Sequence, residues 1–312
     1  MIIHKITYSI ILAGTLFFSL EANAENTPCS GKKGGISHCD GSKFVCNDGS
    51  YSRSKKSCSG EDFGTEGTNT ELSSTVAEPA REASAKTEIT QQGNLLKLDY
   101  QGFTIWLDCQ QRAPVKFRYN AQHDAGNEAR AKDFRLDPDV PKECQQTSAA
   151  AYGHGYDRGH QVPANHLDAS SVAIKQSNYM TNILPQTAHM NRGAWLQTEE
   201  IIECYRDIDE LLVMGGVIMG NNPADDYFVQ SHGVKTPDAY WKVVIRGTGQ
   251  DERVIAWVVP NSKDATRKHL DRHLVSVNEL EKMTGEIIPT ADYAKHDKPY
   301  SSWTIPGDCN KS

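Results

Sequence analysis

The residues able to do chemistry lie close together, between Tyr156 and Glu200. The first part reads Tyr156-Asp157-Arg158-Gly159-His160-Gln161-Val162-Pro163. The second reads Asn182-Ile183-Leu184-Pro185-Gln186, then Met190-Asn191-Arg192-Gly193-Ala194-Trp195, then Glu199-Glu200. A guanidinium, an imidazole, two carboxamides and a carboxylate therefore share one short stretch. That set suits attack on a phosphodiester, which needs a base for water, positive charge for the transition state and a metal at the leaving oxygen.

Taken singly, each residue has a second reading. An imidazole with its ordinary pKa near 6.5 makes His160 a base for water, provided an acceptor, expected to be a backbone carbonyl, holds its other nitrogen; His154, His166 and His189 compete for the role. Asn191 offers a hard amide oxygen to a metal, but an Asn at a helix start is also a common N-cap. Glu199 follows eight residues later, about 80° around a regular helix, and reads as a partner of metal-bound water or as a solvated helix face. Asn182 could orient the scissile phosphate or could be a turn residue ahead of Pro185. Arg158 offers a planar donor fork to the phosphate. Asp157 reads as a brace, and Trp195 as core.

Asp-Arg-Gly-His, Asn-x-x-Pro-Gln, Asn-x-Gly-x-Trp and the Glu eight residues beyond that Asn, in this order, resemble the DNA/RNA non-specific endonucleases, the ββα-metal nucleases. The resemblance runs from about residue 93 to the C-terminus and includes Ala239-Tyr240-Trp241-Lys242 and Glu281-Lys282-Met283-Thr284-Gly285. It implies a central antiparallel sheet flanked by helices, with the site on a β-hairpin-to-helix unit. It also implies Mg²⁺, with Mn²⁺ as a substitute, DNA and RNA as substrates, and 5′-phosphate products. In this reading the catalytic residues are His160, Arg158, Asn182, Glu199 and Arg130, with Asn191 and Glu199 at the metal. Arg130 is carried over as the arginine upstream of Phe134-Arg135-Leu136-Asp137-Pro138, with Lys132 and Arg135 as alternatives. The chain departs from the pattern at His189, where a small polar or acidic residue is usual, and at Arg192, which could add a phosphate contact.

Several elements must position these residues. Leu96, Leu98 and Tyr100 alternate, Gln101-Gly102 turns, and Phe103, Ile105 and Leu107 continue, which predicts a β-hairpin. Val115, Phe117 and Tyr119 predict another strand. Residues 120–151 read as a long and therefore functional loop. A helix is predicted over 192–210, a strand over 211–219, and two more over 240–246 and 254–259 around Gly247 and Gly249. Ser276-Val277-Asn278-Glu279 is a capping box, and Gly285 can end its helix. Hairpins mixed with helices, without repeated βαβ units, give an α+β class.

The ends of the chain have other characters. Residues 1–24 have a short basic start, an apolar run and Ala22-Asn23-Ala24, which predict a cleaved signal peptide and a periplasmic or secreted protein; an uncleaved anchor is the alternative. All eight cysteines follow it, and an even count in an exported chain favours disulfides. Residues 25–60 hold Cys29, Cys39, Cys46 and Cys58 with too little apolar mass to fold unaided, so two bridges should staple them. Their spacing lacks the Cys-x2-Cys pair of a zinc knuckle. Residues 61–92 have an acidic linker composition. Residues 93–312 form the larger domain, in which Cys109–Cys144 and Cys204–Cys309 are the expected bridges.

The chain carries a formal net charge of −7, unevenly spread. Residues 25–60 hold six bases against three acids, and residues 61–88 two bases against seven acids. The rest remains acidic, so global attraction cannot hold a polyanion; a local basic cleft must. The basic small module suits contact with nucleic acid or an anionic surface, and equally a passive role. Two further classes compete with an endonuclease: a nuclease-fold binding protein and a phosphodiesterase for small nucleotides.

Overall fold

The computed structural model describes residues 86–221 and 223–309, together with 29, 33, 36–40, 43–46, 50–52 and 54 of the small module. The signal segment, residues 61–85 of the linker, and the second of the two bridges expected in the small module lie outside the described residues. The chain divides into two units, residues 1–77 and 78–312. In the first, β1 (Ile36–Asp40) and β2 (Lys43–Cys46) pair antiparallel. Cys29 bonds to Cys46, and Phe44 packs in the same small cluster. That disulfide takes two of the four thiols that a zinc knuckle would need.

The second unit is built on an eight-stranded antiparallel sheet. Its strands in chain order are β3 (Glu88–Gln92), β4 (Leu95–Tyr100), β5 (Phe103–Asp108), β6 (Ala113–Ala121), then β9 (Leu211–Met219), β10 (Pro237–Arg246), β11 (Arg253–Pro260) and β12 (Leu274–Val275). The spatial order is β12-β11-β10-β9-β6-β5-β4-β3. Between β6 and β9 the chain leaves the sheet and builds a separate antiparallel pair, β7 (Tyr156–His160) with β8 (Ile183–Thr187). The helices are α1 (Ser171–Ser177), α2 (Ala188–Met190), α3 (Leu196–Arg206), α4 (Val229–His232), α5 (Val277–Thr284) and α6 (Asp292–Lys295). Among the described residues no helix is long and apolar enough to cross a membrane.

Alternation along the strands produces two cores. Tyr240 and Val244 of β10 face the main core with Leu98, Phe117 and Trp257, whereas Trp241, Val243 and Ile245 face a second core with Val277 and Leu280 of α5. A one-residue slip would exchange the two sets, so both buried faces fix the register. Lys242 falls on the main-core face and is fully buried. The capping box at Ser276 and Glu279 is present, and Gly285 closes α5 in the left-handed region at φ 72°.

Two expectations need correction. The linker reading fails for residues 88–92, which form edge strand β3 on β4; Thr90, Gln91 and Gln92 are polar because little of that edge is buried. The helix expected over 192–210 is instead two pieces, a wide π turn over Asn191–Trp195 and α3, which ends at Arg206; the short α2 precedes them. Gly193, at φ −112° and ψ −108°, breaks the regular path. Asn191 and Glu199 therefore do not share one regular helix, and the 80° spacing of such a helix does not relate them.

Cys109 is bonded to Cys144 and Cys204 to Cys309, as expected. The second bridge ties α3 to the C-terminal segment across a sequence separation of 105. Replacing both Cys204 and Cys309 by Ser should lower unfolding free energy by about 2–4 kcal/mol, the usual range for a native bridge over a long loop. Chemical denaturation of the oxidised proteins measures it, and an unchanged midpoint would show that the bridge carries no stability.

Candidate active site

The site is assembled on the β7–β8 pair and the π turn that follows it. On β7, Arg158 and His160 share one face because alternate residues point the same way. Both lie against Phe134 of the long loop: the Arg158 guanidinium carbon is 3.9 Å from the ring centroid, and the imidazole centroid is 5.5 Å away. Gly159 between them lets the chain pass close to Gln186, since a Cβ there would sit 2.2 Å from Cδ of that buried side chain and would displace it.

His160 is buried, with 7% of its surface exposed. Its Nε2 lies 2.8 Å from Oδ1 of Asn178, the residue that caps the C-terminus of α1. The Asn178 Nδ2 donates to Ala131 O at 2.8 Å, which fixes the amide and leaves Oδ1 as an acceptor. His160 Nε2 therefore carries the proton, and Nδ1 keeps the lone pair of the neutral ring. The acceptor is a side-chain carboxamide, not the backbone carbonyl expected from sequence. Burial lowers the His160 pKa to about 4, with Arg130 and Arg158 acting in the same direction and the Asn178 hydrogen bond opposing them. The ring is thus an unprotonated base at neutral pH.

Asn182 is brought to the same region but not into the opening. It is fully buried, its Oδ1 accepts from Val162 N at 3.0 Å, and its Nδ2 donates to Val162 O and Ser177 O. These bonds tie β8 to the segment after His160 and to the end of α1. The carboxamide is spent inside the protein, which corrects the expectation that it orients a phosphate. Trp195 is core, as expected, and its indole donates to His160 O at 3.2 Å.

Asn191 is not a helix N-cap; it follows α2 as its C-terminal cap residue, its backbone N–H donating to Ala188 O. Thr187 caps α2 by accepting from Met190 N. The Asn191 Nδ2 donates to Asp157 Oδ2 at 2.9 Å, and Asp157 also receives Arg192 in a two-bond fork. Asp157 is thus a brace, and it turns the Asn191 amide so that its oxygen remains for another partner. Glu199 is half-buried at the start of α3, and its carboxylate accepts no hydrogen bond among the described residues. Desolvation raises its pKa, while Lys242 and Arg130 act against that. An amide oxygen and a carboxylate are the hard oxygen donors that suit a divalent cation keeping several waters. Among the described residues no three His, Cys, Asp or Glu side chains cluster as a fully protein-made metal site.

Of the three upstream bases, Arg130 is the one whose charge acts on both His160 and Glu199. Arg135 is engaged elsewhere, over the Tyr179 ring at 5.2 Å. The loop bearing them is held by buried Asp137, which accepts from Tyr100, Thr87 and Asp139 N. The competing histidines are accounted for as well. His166 is buried between Tyr119 and Glu203, and exposed His154 stacks on Tyr227 with ring centroids 4.9 Å apart. His189 is exposed on α2.

Sequence reasoning missed two residues. Asn178 reads locally as a helix C-cap, and nothing in its neighbourhood announces a histidine 18 positions earlier. Lys242 ends the stretch Ala239-Tyr240-Trp241-Lys242, which by itself assigns it no role. It lies beneath α3, donating to Thr198 Oγ1 at 2.8 Å with its ammonium 3.7 Å from the Trp195 ring centroid. Burial lowers its pKa to about 8, and Glu199 opposes the shift. Alternation with Tyr240 and Val244 was the available signal for a lysine aimed inward.

A hairpin followed by a helix, bearing a buried neutral histidine, two arginines and a pair of oxygen donors, defines the ββα class of phosphodiester-cleaving site. Comparison with known proteins identifies the family. The model for DNA/RNA non-specific endonucleases matches residues 82–296, and the chain belongs to that family. The mitochondrial nuclease EXOG of Xenopus laevis is 29% identical over 178 residues, 53% of this chain and 50% of that protein. The chain thus spans about half the length of such curated relatives. A crystal structure of the EndoG/EndoGI complex matches with a TM-score of 0.51 at 20% identity, covering 62% of this chain and 84% of that one, and shows the shared fold. The small module is similar to another protein: a model named YdcA matches residues 29–60, and the uncharacterized protein YdcA of Escherichia coli (strain K12) is 64% identical over 50 residues, 16% of this chain and 86% of that protein.

The depressed His160 pKa sets a pH dependence. The ring stays neutral until pH falls toward about 4, so the acid limb of kcat/KM should lie well below the ordinary histidine value. Asn178→Asp puts a carboxylate against the Nε2 proton, favours the imidazolium and should move that limb upward. A pH–rate profile that is the same in both proteins would remove Asn178 from this role.

Proposed function

We propose that this chain is an exported, Mg²⁺-dependent endonuclease that hydrolyses DNA and RNA without strong sequence preference. The observation that carries the reading is the fixed tautomer of His160, whose basic Nδ1 sits in a ring flanked by the charges of Arg158 and Arg130. In this mechanism Nδ1 takes a proton from the attacking water. Arg158 and Arg130 stabilise charge that grows on the phosphate oxygens. Asn191 and Glu199 would hold the divalent cation, which when bound would supply Lewis-acid stabilisation of the departing 3′ oxygen. Breaking the bond between phosphorus and that oxygen gives a 5′-phosphate and, once the oxygen is protonated, a 3′-hydroxyl. Mn²⁺ is the expected substitute, since it too takes oxygen donors.

The chemistry has no base-reading element in this scheme, and contacts to the backbone position a strand without specifying it. Export is supported by the signal-like N-terminal segment and the disulfides. The unaltered protein should cut plasmid DNA and RNA internally, and EDTA should stop it. His160→Ala should lower kcat by about 10²–10⁴-fold or more without loss of the cooperative thermal transition. A folded His160→Ala protein with near-normal activity would overturn the assignment. Release of mononucleotides alone would point to a small-nucleotide phosphodiesterase, and binding without cleavage to a binding protein.

A further inference from the structure

The acidic balance of the chain, −7 overall, leaves a substrate polyanion to be held by local charge. A pocket of about 610 Å³ beside the π turn meets that need. His189, Arg192, Arg267 and Lys268 line it with Ala188, Gly193 and Thr266, and no acidic residue is among the lining set. His189 and Arg192 bracket Asn191 in sequence. We propose that this pocket binds a backbone phosphate of the nucleic-acid substrate other than the scissile one. The inference rests on the nuclease reading and deepens it.

Its walls are built rather than accidental. The segment carrying Thr266–Lys268 is fastened to the hairpin and turn at three points: Thr187 N donates to Asn261 Oδ1 at 2.7 Å, Thr187 Oγ1 to Ser262 O at 3.2 Å, and Ala194 N to Ala265 O at 3.1 Å. The last contact needs Gly193, because a Cβ there would lie 2.9 Å from Ala265 O. Two carboxylates position the arginines from behind. Asp157 takes Nε and Nη2 of Arg192, and Glu200 takes both terminal nitrogens of Arg267. Each guanidinium keeps further N–H groups for an acceptor. The carboxylates offset the charge of the two arginines, so Lys268, which is exposed, supplies the full positive charge of the pocket, and the ring of His189 adds an N–H donor. Successive phosphates along a duplex strand advance by about 3.4 Å of rise. A strand cleaved at the Asn191 side therefore passes neighbouring phosphates near this pocket.

The test is equilibrium binding of the full chain, in EDTA to stop cleavage, to duplex DNA and single-stranded RNA over a series of salt concentrations. Lys268→Ala should weaken binding and flatten the log–log salt slope by about 0.9 for the duplex and about 0.7 for the single strand, the value of one phosphate contact. Lys268→Arg should restore slope and affinity. An Ala variant with the affinity and slope of the unaltered protein would overturn the pocket while leaving the nuclease reading intact. An unaltered protein that neither binds nor cleaves nucleic acid would overturn that reading, and the pocket with it.

Discussion

The site depends on one hydrogen bond, from His160 Nε2 to Asn178 Oδ1. A histidine this deeply buried loses its ordinary exchange between tautomers and protonation states. What remains is set by whichever group faces each nitrogen. Asn178 can only accept, because its own Nδ2 is committed to Ala131 O. The proton is thereby held on Nε2, facing Asn178, and the lone pair on Nδ1. Desolvation then keeps the ring neutral. Both effects come from residues that need never touch substrate.

The rest of the unit makes that arrangement rigid. Asn182 ties β8 to the chain after His160 and to α1, which ends at Asn178. Asp137 holds the loop that supplies Ala131. The π turn carries Asn191 and, through Gly193, seats the Ala265 segment against it. Beneath α3, Lys242 is an ammonium in the main core. Burying such a charge alone would cost several kcal/mol. Thr198, the face of Trp195 and the nearby Glu199 offset that cost. The carboxylate offered to a cation is thus set against a fixed positive charge.

Legibility in the sequence followed the range of the interactions. Strands β4 to β6 were readable because apolar residues alternate along them, β9 to β11 because they are short runs rich in apolar residues, and the box at Ser276 because it is complete within four residues. Edge strand β3 was not, since an edge with little burial has no apolar pattern. The motif residues His160, Arg158, Asn191 and Glu199 could be named from order and spacing. Their states could not. That Asn182 is consumed inside the protein, that Asp157 orients Asn191, and that Asn178 reaches His160 are contacts between segments 18 to 34 positions apart. Local propensity assigns such residues to caps and turns, and Asn178 is in fact also a cap. The break at Gly193 was hidden for a related reason: the turn packs against Ala265, far along the chain.

The central claim is that His160 is a neutral base with Nε2 protonated and Nδ1 bare. Nitrogen–proton correlation NMR of the His160 ring in the full chain reads this state directly, between about pH 5 and 8. The account predicts the Nε2–H neutral form throughout that range. A ring protonated at Nδ1, or an imidazolium at pH 7, would contradict it.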